Sequence, residues 1–348
     1  MGVNLRDIIP EKAIRILGDI RELSGKIVAI DAYNALYQFL SAIRQPDGTP
    51  LMDSKGRVTS HLSGLFYRTI NLIESGLKPV YVFDGKPPEI KYAEIASRSL
   101  SKQKAEEKYR EAREKGDTEL MRRYAQATSR LTNEMIEVSR KLLDAMGVPW
   151  VQAPSEGEAQ AAYMVIKGDA WCTVSQDYDS LLFGSLRLVR NLTISGKRKL
   201  PGKEIYVETP PELIQLEDLL KILSITREQL IDIAILIGTD FNPDGVEGVG
   251  PKTALNIIKT YGSLEKALKT LPRALFPTDP IEIRNFFLKP PTTDNYKLVW
   301  KEPDQNKIIE LLVEEYEFSR ERVEKHVERL SKALKAGRST GLDKWVRR

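Results

Sequence analysis

Three times in this chain an apolar, strand-like run ends in acid. KIVAID closes on Asp31, PVYVFD closes on Asp84, and AWCTVS runs into Asp177 and Asp179. The segments between these runs are long enough for the crossovers that parallel pairing requires. A sheet connected in this way delivers its acids to the carboxyl ends of its strands, the edge where α/β folds place their sites. The fold class expected is therefore α/β, a mainly parallel central sheet flanked by helices. One strand-end Asp is an ordinary turn or cap residue. Three of them make a shared carboxylate rim the better reading.

The stretch from Ala153 to Ser180 sharpens that reading, because it adds Glu156 and Glu158 to Asp177 and Asp179. Carboxylates converging on one rim repel each other unless a cation neutralises them. Oxygen donors suit a hard divalent ion, Mg²⁺ above all. Two plainer readings stay open: Ser155-x-x-Glu158 spells a capping box, and Asp177-Tyr178-Asp179-Ser180 spells a turn that caps the next helix. Another acid, Asp240, closes the apolar helical run SITREQLIDIAILIGTD.

The 348 residues suffice for one large domain or two modest ones, and 41% hydrophobic with 29% charged residues is a globular composition. The single cysteine, Cys172, leaves no internal disulfide and points to a reducing compartment. MGVNLRDIIP lacks the apolar core of a secretion signal, and no run approaches a membrane span, so no membrane partner is expected. A net charge of +4 says little about polyanions. The distribution says more, since basic residues crowd into 86–130 and 187–203.

Residues 86–135 are highly charged helix formers with few large apolar side chains, broken near Gly116-Asp117. They read either as a solvated helical hairpin or, because they follow Asp84, as a basic cover over the acids. Lys91 and Arg98 are seven residues apart and share a helix face. Residues 186–209 read as a hairpin: LRLVRNLTIS, the basic turn GKRKLPGK, then EIYVETP. In 244–263, Gly245, Gly248 and Gly250 precede a helix carrying Lys252 and Lys259. Such glycines let backbone N–H groups approach a phosphate at a helix N-terminus, as in a helix–hairpin–helix, although a plain glycine turn remains open. Tyr33, Leu36, Tyr37 and Leu40 have core-stripe spacing. Residues 271–306 are proline-rich and expected to be irregular. A closing helix from Phe318 is expected to stop at Gly337, leaving a flexible tail over 338–348.

IDAYNALYQFL, YVFDGKPPEIK, APSEGEAQAAYM, SQDYDSLLFGS and GTDFNPDGVEGVGPKTAL, in that order, closely resemble the archaeal and eukaryotic flap endonucleases of the structure-specific 5′-nuclease family. The resemblance spans nearly the whole chain. It implies a PIN-like 5′-nuclease fold in a single nuclease domain (1–337). Within that domain it places a helical arch at 86–135 and a helix–two-turn–helix within 220–263. It implies two Mg²⁺ ions, with Mn²⁺ as a substitute, held by Asp31, Asp84, Glu156, Glu158, Asp177, Asp179 and Asp240. Lys91 and Arg98 fall to the scissile phosphate, Tyr37 to stacking on a nucleotide, and Gly2 to the rim. A pocket for a one-nucleotide 3′ flap falls near Lys55 to His61.

The activity implied is cleavage of a 5′ flap near the single-strand/double-strand junction, with 5′–3′ exonuclease activity, in replication and repair. A monomer acting on branched DNA is expected, in the cytoplasm and nucleoid of a prokaryote or in a eukaryotic nucleus. In the tail, Leu342 and Trp345 fit a sliding-clamp peptide, but Ser339 and Val346 depart from the usual Gln and second aromatic. The rival readings are a related PIN-type ribonuclease, the excision-repair branch, a non-enzymatic junction-binding scaffold and, remotely, an Asp-x-Asp phosphatase.

Overall fold

The computed structural model describes residues 2–45, 48–91, 107–108, 110–112, 114, 131–193, 197–199, 206–271 and 276–346; at 197–199, 206–208 and 337–346 it describes backbone alone. The central sheet has seven strands in the order β1-β9-β6-β5-β2-β3-β4. These are β1 (Ile14–Ile16), β2 (Ile27–Asp31), β3 (Lys78–Phe83), β4 (Trp150–Gln152), β5 (Cys172–Val174), β6 (Arg187–Arg190) and β9 (Glu212–Gln215). β4, β3, β2, β5 and β6 run parallel, while β9 and β1 add an antiparallel edge.

The inner strands are apolar on both sides because both faces are covered, as parallel sheets require. Their two-residue period divides the core. Val28, Ile30, Tyr81 and Phe83 face helices Ala32–Ala42, Ser60–Glu74, Asn133–Met146 and Arg320–Val346, while Ala29, Val80 and Val82 meet Ala161, Met164 and Val165 of helix Gly157–Lys167. A further cluster joins β6 and β9, through Leu188 and Ile214, to helices Leu216–Leu223, Arg227–Ile237, Pro251–Tyr261 and Pro280–Leu288. Among the described residues no helix is long and apolar enough to cross a membrane.

Several expectations are corrected. The 186–195 run does not pair with 204–210 as expected: β6 enters the central sheet between β5 and β9 and pairs antiparallel with β9. The hairpin lies beyond it, with β7 (Lys197–Lys199) inside the supposed basic turn pairing β8 (Tyr206–Glu208). Residues 271–306 are not irregular throughout, since Asp279 caps helix Pro280–Leu288 through the N–H of Ile281, with proline at the first position. Gly337 does not end the closing helix, which continues to Val346. An interior glycine costs about 1 kcal/mol relative to alanine and does not by itself stop a helix. The 86–135 boundary also runs late, because Thr132 caps a helix that already begins at Asn133. Most of 86–135, including Arg98, lies outside the described residues.

Arg284, unremarked in the sequence, pins three helices. Its Nε lies 2.8 Å from Asp232, and its Nη1 lies 3.1 Å from Glu228 and 2.8 Å from Glu265. Both Arg284 and Asp232 are buried, so Arg284→Met leaves Asp232 uncompensated. A loss of about 3–5 kcal/mol is expected in chemical denaturation. Adding Asp232→Asn should recover much of it, and a simply additive double mutant would contradict this reading.

His61 is 1% exposed, and neither ring nitrogen has a hydrogen-bond partner among the described residues. Burial lowers its pKa to about 4. The unfolded chain therefore takes up the proton first as pH falls. His61 contributes stability that is whole above pH ~6.5 and lost toward pH 4, by about 3 kcal/mol there. The difference in melting temperature between wild type and His61→Gln should change with pH across that window. A pH-independent difference would contradict the assignment.

Candidate active site

The carboxyl edge of the parallel strands is where the acids gather. Asp31 ends β2 and caps the next helix, its Oδ1 accepting the Asn34 N–H at 3.0 Å. Asp84 follows β3, and its Oδ1 accepts the Gly157 N–H at 2.6 Å. A Cβ at position 157 would lie 2.7 Å from that oxygen, so glycine allows the helix to begin this close. That start puts Glu156 at the N-cap and Glu158 in the first turn.

Asp177 and Asp179 flank Tyr178 after β5, and helix Asp179–Leu182 starts there. Asp240 lies just beyond helix Arg227–Ile237. The capping alternatives are not realised. Glu156, not Ser155, occupies the N-cap of helix Gly157–Lys167, and neither it nor Tyr178 makes a side-chain cap bond.

Phe241, beside Asp240, packs on Phe286 and Phe287 with ring centroids 5.0 and 5.3 Å away, and Phe183 meets Phe287 at 4.9 Å. Helix Pro280–Leu288 thus props up the backbone that carries Asp240 and the end of the turn that carries Asp179.

Electrostatics ties the acids into one basin. Burial first, then repulsion from Asp84, Asp177 and Glu156, holds Asp31 well above the usual carboxylate range. Glu158 is raised likewise, by burial and then by Asp179, Asp31 and Asp177. Asp84 is pushed up to about 7 by burial, Glu156 and Asp240, and Asp179 to about 8 by burial, Asp240 and Asp177. These pairings include all seven acids.

Among the described residues, Lys91 brings a positive charge into the basin, with its Nζ 2.6 Å from Glu156 and 3.2 Å from Asp240. Burial works against its charge, but Glu156, Asp240 and Asp84 outweigh it and hold its pKa raised. One ammonium cannot balance seven acids, and Glu158 Oε1 is buried without a hydrogen-bond partner among the described residues. This all-oxygen set fits a hard cation. Among the described residues, however, no group of three or more His, Cys, Asp or Glu side chains is arranged to hold an ion as it stands. Lys91, the Gly157 and Val3 N–H groups and the Asn34 amide occupy several of the oxygens instead.

The other expected residues lie on several different elements. Gly2 lies against the acid turn, where a Cβ would come 2.6 Å from Asp177 Cβ and 2.7 Å from Asp179 Oδ1. Tyr37 is half-buried on helix Ala32–Ala42. Gly245 and Gly248 have left-handed backbone, and Gly250 caps helix Pro251–Tyr261, on which Lys252 and Lys259 are exposed. Leu342 and Trp345 lie in the closing helix.

Sequence reasoning missed Asn34, Gln38 and Thr193, whose polar side chains reach Asp177 as a chain, and Arg190, which donates to Gln176 O at 3.0 Å and Tyr178 Oη at 2.7 Å. Asn34 carried a faint signal, a polar residue three positions after a strand-end Asp. Thr193 and Arg190 carried none.

Comparison with known proteins places this site in a family. Residues 1–105 match the XPG N-terminal domain and residues 147–240 the XPG I-region. Flap endonuclease 1 of Hyperthermus butylicus is 64% identical over 351 residues, covering 100% of both chains. That of Staphylothermus marinus is 62% identical over 348 residues, covering 99% of each. The solved flap endonuclease-1 from Methanococcus jannaschii is 45% identical and superposes with a TM-score of 0.77, covering 96% of this chain and 99% of that one. With this fold, this acid rim and likeness along its full length, the chain belongs to the flap endonuclease 1 family of XPG-type nucleases.

Proposed function

We propose that this chain is a structure-specific 5′ flap endonuclease with associated 5′–3′ exonuclease activity. It hydrolyses a DNA phosphodiester near the junction of single and double strand and leaves a 5′-phosphate and a 3′-hydroxyl. The observation that carries the reading is the convergence of seven acids on one strand-end basin with Lys91 among them. Family membership supplies the reaction class.

Asp31, Asp84, Glu156, Glu158, Asp177, Asp179 and Asp240 would hold two Mg²⁺ ions, or Mn²⁺ in their place, and these supply Lewis acidity and charge neutralisation at the phosphate. Lys91 and Arg98 hold the phosphoryl oxygens and offset charge that grows on them where water is excluded. Lys91 then exchanges its carboxylate partners for phosphate. Histidine has no part in moving the proton, since His61 is buried in the core and His326 packs against Tyr67 on the closing helix.

The N–H groups around Gly248 and Gly250 at the start of helix Pro251–Tyr261, with Lys252 and Lys259, hold the backbone of downstream duplex. Residues 86–131 form the arch that takes the 5′ single strand, Tyr37 stacks on a nucleotide, and Gly2 lets the N-terminus lie close to the acid turn. Bending at a junction costs less than bending continuous duplex, which sets the preference for branched substrates. The chain works as a monomer on replicating and repaired DNA, in the cytoplasm and nucleoid of an archaeal-type cell. A sliding clamp is the partner proposed for Leu342 and Trp345.

A 5′-labelled double-flap substrate tests this reading. With Mg²⁺, cleavage near the junction is expected, and EDTA should stop it. Cleavage unaffected by EDTA, or equal rates on flap and continuous duplex, would contradict it.

A further inference from the structure

Asp177 has a dedicated support that the acid motif does not account for. Asn34 Nδ2 donates to Asp177 Oδ2 at 3.0 Å, across 143 positions of sequence. Its other amide atom is spoken for twice: Oδ1 accepts from Gln38 Nε2 at 2.6 Å and from the Gln176 N–H at 3.2 Å. With two donors aimed at Oδ1, the NH₂ must face the carboxylate, so the amide cannot flip. Gln38 is oriented in turn: Asn34 Oδ1 can only accept, so the Gln38 NH₂ points at it and the Gln38 Oε1 is left to accept the Thr193 hydroxyl at 2.8 Å.

The chain is directional, hydroxyl to amide to amide to carboxylate, and it spans three elements. Thr193 follows β6, Gln38 and Asn34 lie one turn apart on helix Ala32–Ala42, and Asp177 follows β5. Asn34 also donates its backbone N–H to Asp31 at 3.0 Å. One residue thus touches two acids of the basin through two different groups.

We infer that Asn34 is a positioning residue. Held by Gln38 and Thr193, it fixes one oxygen of Asp177 and leaves the other to face the basin, which sets how tightly that acid can take part in holding a divalent cation. The inference rests on the metal reading above. Partners of this kind typically change metal affinity or activity by about 10–100-fold when removed. A residue that merely filled space would change stability and leave affinity alone.

The test is Mn²⁺ binding to the full chain, followed by calorimetry and by the loss of the free-ion paramagnetic resonance signal. Melting temperatures in EDTA and half-activating Mg²⁺ on a double-flap substrate complete the measurement. Asn34→Met should weaken Mn²⁺ binding by about tenfold or more and raise half-activating Mg²⁺ in parallel, with DNA affinity in EDTA unchanged. Gln38→Met and Thr193→Val should give progressively smaller shifts of the same sign. They carry the test if Asn34→Met fails to fold, since Thr193→Val removes only a hydroxyl. Unchanged Mn²⁺ affinity in the folded variants, with the only effect on melting temperature, would overturn the positioning role. If wild type itself binds no Mn²⁺, the metal reading fails first and the inference with it.

Discussion

Asp179→Ala should abolish cleavage while leaving DNA binding largely intact. Asp179 sits where Asp240, Asp177 and Lys91 all act on it, and its Oδ1 accepts the Val3 N–H at 2.8 Å. If these acids hold the metal as proposed, losing one of them removes several kcal/mol of transition-state stabilisation, roughly a thousandfold or more in single-turnover rate. DNA affinity, which the proposal assigns to backbone contacts elsewhere, should change by much less. Full activity in this variant would refute the site.

Stability should move the other way. The pKa of Asp179 is raised to about 8 by burial and neighbouring acids, so between pH ~4 and ~8 the metal-free folded chain holds a proton that the unfolded chain releases. Its contribution is therefore whole at low pH and lost as pH rises through the folded pKa. Asp179→Asn, which keeps the Val3 bond, should melt higher than wild type in EDTA above pH 8. The difference should vanish near pH 4. An Asn variant less stable than wild type at high pH would mean that the acid is a fold element and not a strained site group.

Lys91→Met is expected to lower the single-turnover rate by about 10²–10³, the scale found when one preorganised donor to a developing charge is removed. The side chain is largely withdrawn from solvent and is flanked by Glu156 and Asp240 at 2.6 and 3.2 Å. In the proposed role it would meet the phosphate in a setting where water does not screen it. The same substitution removes the Lys91 ammonium from beside those two acids, so the metal-free protein should also lose stability, and added Mg²⁺ should restore it. A variant with normal turnover and weakened DNA affinity alone would reduce Lys91 to a docking contact.

The parts of the fold legible in sequence were those written in local period. β2, β3 and β5 announce themselves as apolar runs, and the acids after them follow from where a parallel sheet turns its chain. The antiparallel edge was not legible, because β1 and β9 have 3 and 4 residues, too few to display a two-residue period, and their pairing joins segments some 200 positions apart. The 186–195 run was misread for a related reason: it has strand character, but nothing local says which neighbour it pairs with. Helix Pro280–Leu288 did carry its signal, Asp279 before Pro280, and the surrounding prolines hid it.

The seven acids could be named because each stands beside a recognisable terminus. Their partners could not. Asn34 reads as an ordinary residue in the first turn of a helix, and only tertiary folding brings it to Asp177. Arg284 reads as one charge among many until burial sets it against Asp232. Family resemblance narrowed the chemistry, whereas the side chains that position and neutralise the acids came only from the fold.

The most direct test of the account is an anomalous scattering map from crystals of this chain soaked in Mn²⁺. Two peaks inside the basin bounded by Asp31, Asp84, Glu156, Glu158, Asp177, Asp179 and Asp240 are expected, with Lys91 displaced from Glu156 or Asp240. Mn²⁺ bound only at other surfaces, with the seven acids and Lys91 unchanged, would contradict the claim that these residues form one metal-dependent nuclease site.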